Sequence, residues 1–224
     1  MTEVGILVFQ DVEVLDFAGP FEVLSVAARH SAGQLAVETV GLAREIVCRG
    51  GLVVRPARLV SEDPCYDLLV IPGGPGARNM VAAVRTLARS GNKAHADTVT
   101  ACPGSAADET TFRLAEQGRT LIRYVGAHAE RGAIVASVCT GAYFLAEAGL
   151  LAGRKATTHH GAFKQFAETY PDIELLPHRY VDEGPVLTSG GVSCGIDMAL
   201  HLVARLVGPE AARTVADTLE WPSC

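Results

Sequence analysis

Ala133-Ile-Val-Ala-Ser-Val-Cys139-Thr-Gly-Ala-Tyr-Phe-Leu-Ala-Glu-Ala-Gly149 decides the fold. Ala133 to Val138 is a short apolar run, as expected of a parallel strand buried on both faces. The run stops at Cys139, and Thr140 to Ala148 then reads as an almost wholly apolar helix closed by Gly149. A strand that breaks sharply into a helix, with a nucleophile-capable side chain at the break, is the pattern of a nucleophile elbow. So tight a turn demands small residues two positions to either side, and Ser137 and Gly141 meet that demand. The helix N-terminus is expected to lower the thiol pKa and favour the thiolate. The competing reading makes Cys139 a small buried hydrophobe, as most free cysteines are.

The same alternation extends outward in both directions. Val4 to Phe9 and Tyr66 to Ile71 read as buried strands, and Leu35 to Val40 as a half-buried one. Ile46-Val47 and Leu52-Val53-Val54 flank Gly50-Gly51 as a hairpin. Asp11 to Asp16 reads as a loop, followed by a helix that starts at Ala18-Gly-Pro20. Val81 to Arg89, Ala107 to Gln117 and Leu121 to Ala129 are predicted helices. After the elbow come a short strand at Lys155 to Thr158, a helix at Ala162 to Tyr170, and short strands at Ile173 to Leu176, Arg179 to Val181 and Val186 to Thr188. A helix then opens with Ser193 as its N-cap, and a last one runs from Glu210 to Leu219. Strands alternating with helices predict one parallel, doubly wound α/β domain over residues 1–224. In such a sheet ligands lie outside the carboxyl ends of the strands. Asp16, Gly73-Gly74 and Cys139 all fall just past a strand end.

Composition narrows the function classes. Hydrophobic residues make up 49% of the 224 and charged residues 20%, which predicts a globular chain with a substantial core. A net charge of -6 gives no general attraction to nucleic acid or anionic membrane. No apolar run is long enough to span a bilayer, and the first residues read as a strand rather than a signal peptide. Six cysteines are scattered with no Cys-x-x-Cys pair, which argues against zinc and fits a reducing cytosol. His95, Cys102 and Asp108 can be grouped as a metal site, but their irregular spacing favours a solvated excursion. Pro72-Gly-Gly-Pro-Gly76 lacks both the Gly-Lys-Ser/Thr of a Walker A loop and the G-x-G-x-x-G fingerprint. It is either a cradle for an oxyanion or substrate carbonyl, or a tight strand–helix turn with no ligand.

Five segments carry a resemblance: Leu15-Asp16-Phe-Ala-Gly-Pro-Phe-Glu-Val-Leu24, Asp67-Leu-Leu-Val-Ile-Pro-Gly-Gly74, Ser137-Val-Cys-Thr-Gly-Ala142, Ala156-Thr-Thr-His159 and Thr188-Ser-Gly-Gly-Val-Ser-Cys-Gly-Ile-Asp197. In this order they resemble the ThiJ/PfpI superfamily (class I glutamine amidotransferase-like), and most of all its branch of isocyanide hydratases and AraC-type regulator sensor domains. The resemblance implies a flavodoxin-like three-layer sandwich that commonly forms a homodimer, with Cys139 as nucleophile. It implies that Asp16 hydrogen-bonds the cysteine, that Thr140 assists it, and that the Gly73 and Gly74 amides make oxyanion-side contacts. His159 matches a histidine near the cysteine in some members. Many superfamily members carry a histidine directly after the cysteine, so Thr140 counts against a PfpI-type protease. Two departures stand out. The branch passes from Pro-Gly-Gly to the cysteine in roughly thirty residues, and this chain takes about twice as many, so an insertion is expected at about 78–117. Cys194 stands where a small non-sulfur residue is usual; it reads as a buried thiol, or as a partner for Cys139 under oxidation.

The implied chemistry needs neither metal nor organic cofactor. Cys139 attacks an electrophilic carbon such as that of an isocyanide, Asp16 acts as general acid, and water resolves the thioimidate to an N-substituted formamide. On local pattern Asp16 reads instead as a helix-capping loop carboxylate, and Glu13 as a solvated acid. Two other functions compete: a ligand-binding sensor domain, and a glyoxalase- or deglycase-like thiol enzyme for which His159 speaks. The sensor relatives continue into a helix-turn-helix, whereas Leu219 to Cys224 holds no basic recognition helix, so the expected partners are a small-molecule substrate and a second copy of the chain, not nucleic acid or membrane.

Overall fold

The computed structural model describes residues 1–93 and 106–222. His95 and Cys102 lie outside the described residues, as does the Pro103-Gly-Ser stretch. A seven-stranded sheet is built from β1 (Thr2–Val8), β2 (Leu35–Gly41), β5 (Arg58–Leu59), β6 (Leu68–Ile71), β7 (Ile134–Val138), β10 (Tyr180–Asp182) and β11 (Val186–Ser189). Its order is β10-β11-β7-β6-β1-β2-β5. Every pairing is parallel except that of β10 with β11. The small antiparallel pair β3 (Ile46–Val47) and β4 (Val53–Val54) is the predicted glycine hairpin, with Gly50 and Gly51 both at positive φ. A second small pair joins β8 (Lys155–Ala156) to β9 (Glu174–Leu175).

Helices cover both faces. On one side α2 (Pro75–Lys93), α3 (Ala106–Glu130) and α4 (Ala142–Glu147) pack together; on the other, α1 (Val14–His30), α6 (Cys194–Leu206) and α7 (Pro209–Thr218) do so. The short α5 (Phe163–Thr169) follows β8. Sandwiched strands need apolar residues on both faces, and β6 is buried along its whole length. The core joins Ile6, Leu69, Val135 and Phe144 into one cluster. Among the described residues no helix is long and apolar enough to cross a membrane.

Three details differ from the sequence expectation in ways that bear on the site and its surroundings. α1 starts at Val14, so Asp16 lies inside the helix, fully buried, and is not a capping loop carboxylate. Pro20 suggested a first turn, yet the burial period already runs through Asp16, Phe17, Gly19, Pro20, Val23 and Leu24. Burying that face offsets the one hydrogen bond that Pro20 cannot donate to the Asp16 carbonyl. The helices expected at Ala107–Gln117 and Leu121–Ala129 are one continuous α3. Gly118 separates them in sequence, but its role is close packing: a Cβ there would lie 2.9 Å from a Val84 methyl and 3.0 Å from the Met80 carbonyl on α2. Where it is described, the 78–117 segment thus consists of α2 and the first half of α3. Finally, Ser193 occupies the N-cap of α6, yet its hydroxyl makes no capping bond and instead accepts from Arg179 at 3.5 Å.

Candidate active site

β7 ends at Val138 and the chain turns through a single 3-10 turn, Cys139–Gly141, before α4. Cys139 has φ +58°, a left-handed conformation costing a non-glycine residue about 1–2 kcal/mol. Surrounding bonds hold it there. The Cys139 amide donates to the Gly190 carbonyl at 3.0 Å, and its carbonyl accepts from the Thr158 hydroxyl at 2.8 Å. Gly141 is required by proximity: a Cβ would sit 2.2 Å from the Ile71 carbonyl oxygen. These features make the turn a nucleophile elbow, with the sulfur presented past the end of β7.

Asp16 approaches from α1 beneath the sulfur. Its carboxylate accepts the Gly73 amide at 3.1 Å on Oδ2 and the Val192 amide at 3.2 Å on Oδ1. It also accepts the Cys139 thiol. Burial raises the Asp16 pKa from 3.8 to about 6; the three hydrogen bonds oppose the rise, and the Glu13 charge adds to it. Cys139 is pushed up to about 12, first by burial and then by the Asp16 charge. The Thr140 amide and hydroxyl lie against the sulfur and pull the other way, but they are outweighed. The expected lowering by the helix N-terminus is therefore reversed. α4 has only six residues, and its dipole cannot compete with desolvation beside a carboxylate.

The Gly73 and Gly74 amides are both engaged within the protein. Gly73 N–H is held by Asp16, and Gly74 N–H donates to Thr140 Oγ1 at 2.9 Å. Thr140 Oγ1 returns a bond to the Gly74 carbonyl at 3.1 Å. Through these bonds the two glycines contact Asp16 and Thr140 directly. A side chain on Gly73 would collide with the Thr140 amide at 2.5 Å, which accounts for glycine there.

Above the sulfur opens a cavity of about 180 Å³. Its walls include Glu13, Arg49, Arg78, His159 and Val192. Glu13 and Arg49 form an ion pair at 2.9 Å, so Glu13 is not merely a solvated acid. His159 accepts the Gly161 amide on Nδ1 at 3.1 Å, and burial and neighbouring cations lower its pKa. The structure thus brings Cys139, Asp16, Thr140, Gly74 and His159 to one site, with Gly73 directly behind. Sequence reasoning missed Val192, Arg49 and Arg78. Val192 contributes only a backbone amide, held at φ +52°; the Ser189-Gly-Gly-Val-Ser193 stretch was the available signal. Cys194 borders a neighbouring cavity with Thr158 and His160, and the four described cysteines are free thiols. Among the described residues no group of three or more His, Cys, Asp or Glu is placed to hold a metal ion.

The family model described as DJ-1/PfpI family matches residues 2–106 and 93–205. An isonitrile hydratase of Pseudomonas putida is 28% identical over 221 residues, covering 98% of this chain and 78% of that protein. The HTH-type transcriptional regulator CdhR of Pseudomonas aeruginosa is 36% identical over 97 residues, 43% of this chain and 29% of the regulator. A crystal structure of an AraC family transcriptional regulator from Pseudomonas putida superposes with a TM-score of 0.71 at 19% identity, covering 98% of this chain and all of that one.

Proposed function

The chain belongs to the DJ-1/PfpI family, and from that premise we propose that it is a cysteine-dependent hydratase converting an isocyanide to an N-substituted formamide. The observation that carries the reading is the buried Cys139–Asp16 pair beneath a small cavity. With Asp16 near 6 and the thiol near 12, the pair at neutral pH is a thiol donating to a carboxylate. The base that activates the nucleophile is already in contact with it.

The reaction then runs on one shuttled proton. As sulfur bonds to the terminal carbon of R–NC, its proton passes to Asp16, and Asp16 delivers it to the same carbon. The product is the thioimidate R–N=CH–S–Cys139. Water adds across C=N, oxygen to carbon and hydrogen to nitrogen. The C–S bond breaks as the carbonyl forms, and the hydroxyl proton returns to sulfur through Asp16. The sum is R–NC plus water giving R–NH–CHO, with no cofactor in any step. The Thr140 hydroxyl, fixed by Gly74, borders the reacting sulfur and orients substrate or water.

A second reading is a sensor domain that binds its ligand without turnover. It is favoured by the raised thiol pKa and by the regulators among the relatives. For the thiol-carbonyl chemistry of a glyoxalase, His159 lines the cavity, but no hydrogen bond joins it to Cys139 among the described residues. One assay separates the three. Wild type incubated with a simple aryl isocyanide should release formamide, and Cys139→Ala should release none. Formamide from Cys139→Ala would refute the nucleophile. Wild type inert toward isocyanides but consuming methylglyoxal would favour the glyoxalase reading, and inertness toward both the sensor.

A further inference from the structure

One cation at the Cys139 cavity has no ion-pair partner among the described residues. Arg49 is neutralised by Glu13 at 2.9 Å, and the Asp16 carboxylate is buried below the sulfur. His159 is held toward its neutral form. That leaves Arg78, exposed at the rim and without an ion-pair partner among the described residues. It stands in the first turns of the 19-residue α2, whose first turn holds no acidic side chain. Gly74 and Pro75, at the start of that helix, also line the cavity, so the positive end of its dipole faces the same space.

Arg78 belongs to two cavities. The second, about 300 Å³, lies between α2 and α5 and is bordered by Arg78, Arg85, Arg89, Tyr143 and Glu168. Arg85 is taken up by Glu147 at 2.7 Å. Glu168 offsets one further cation, which still leaves the seam between the cavities positive. Tyr143, only 5% exposed, has a buried hydroxyl with no hydrogen-bond partner among the described residues. Arg78 is the charge that acts on it. An unpaired guanidinium lining the same cavity as Tyr143 is where an oxyanion gains a charge-assisted partner.

We propose that the molecule taken by the Cys139 cavity is an anion, a small electrophile carrying a carboxylate or phosphate that Arg78 holds at the seam between the two cavities. The reacting carbon then lies over the sulfur at the floor, and the anionic group lies at the rim, away from Asp16. This rests on reading the Cys139 cavity as a site for a small electrophile. The α2–α5 cavity accommodates the remainder of a longer molecule.

The test is an NMR titration of ¹⁵N-labelled protein with acetate and, separately, inorganic phosphate, at ionic strength fixed with sodium chloride. The Gly161, Ala162 and Val192 amides report. Saturable shifts are expected in wild type, kept in Cys139→Ala and weakened at least about ten-fold in Arg78→Gln. The stronger of the two probes identifies the group as carboxylate or phosphate. Shifts no larger than those given by chloride, or shifts unchanged in Arg78→Gln, would overturn the proposal. Turnover supplies a separate readout: kcat/KM for isocyanoacetate relative to its methyl ester should fall at least about ten-fold in Arg78→Gln. If wild type hydrates neither compound the hydratase reading fails, and the titration still decides whether the site takes an anion.

Discussion

Asp16→Asn converts the buried acid into a stability measurement. Asp16 is inaccessible to solvent, and its carboxyl is raised from 3.8 to about 6. At about 1.4 kcal/mol per pH unit, that gap corresponds to about 3 kcal/mol. The sign follows from which state holds the proton. Between 3.8 and about 6 the unfolded chain has released it and the folded protein has not. Stability from the protonated carboxyl is therefore full below 3.8 and is lost as pH rises toward 6, after which the loss levels off. Asparagine does not titrate. It accepts only one of the Gly73 and Val192 amides, but that penalty is independent of pH. Urea unfolding of both proteins from pH 4 to pH 8 gives a difference in which all other titrating groups cancel. Wild type should lose about 2–3 kcal/mol relative to Asp16→Asn between pH 4 and pH 7. A difference that stays level across that range, or one in which wild type gains with rising pH, would refute the argument that burial dominates at Asp16.

Other residues give shorter tests. Gly141→Ala places a methyl 2.2 Å from the Ile71 carbonyl oxygen; backbone cannot yield as a side chain can, so denaturant unfolding should show a loss above about 2 kcal/mol. Thr140→Val removes both bonds to Gly74 and should cost about 1–3 kcal/mol for each buried group left unpaired, while Thr140→Ser stays close to wild type. His128 is fully buried, accepting the Tyr66 amide on Nε2 and donating Nδ1–H to the Tyr124 carbonyl. Burial holds its pKa below 6.5, so its contribution to stability is present above pH 6.5 and is lost as pH falls below that. Imidazole NMR should show it still neutral at a pH where a solvent-exposed histidine is half protonated.

The elbow was legible because its constraints are local. A buried strand, a left-handed Cys139 and a crowded Gly141 each leave a mark within five residues, and the alternating pattern that surrounds them specifies the layered sheet. Asp16 was harder. Pro20 imitated a helix start, and only the burial of Phe17, Val23 and Leu24 shows that the helix begins earlier. Only the Ser189-Gly-Gly-Val-Ser193 turn hints at Val192, whose amide reaches Asp16 across 176 positions; a backbone donor has no residue type to read. The same distance explains the inverted thiol pKa. A helix N-terminus argues for a thiolate from the adjacent residues alone, whereas burial and a carboxylate from α1 argue for a thiol and prevail. That reversal bears on the chemistry. A resting thiolate suits attack on a substrate that obtains its proton elsewhere. A thiol poised on a carboxylate keeps nucleophile and proton together, and addition to an isocyanide requires both to arrive at one carbon.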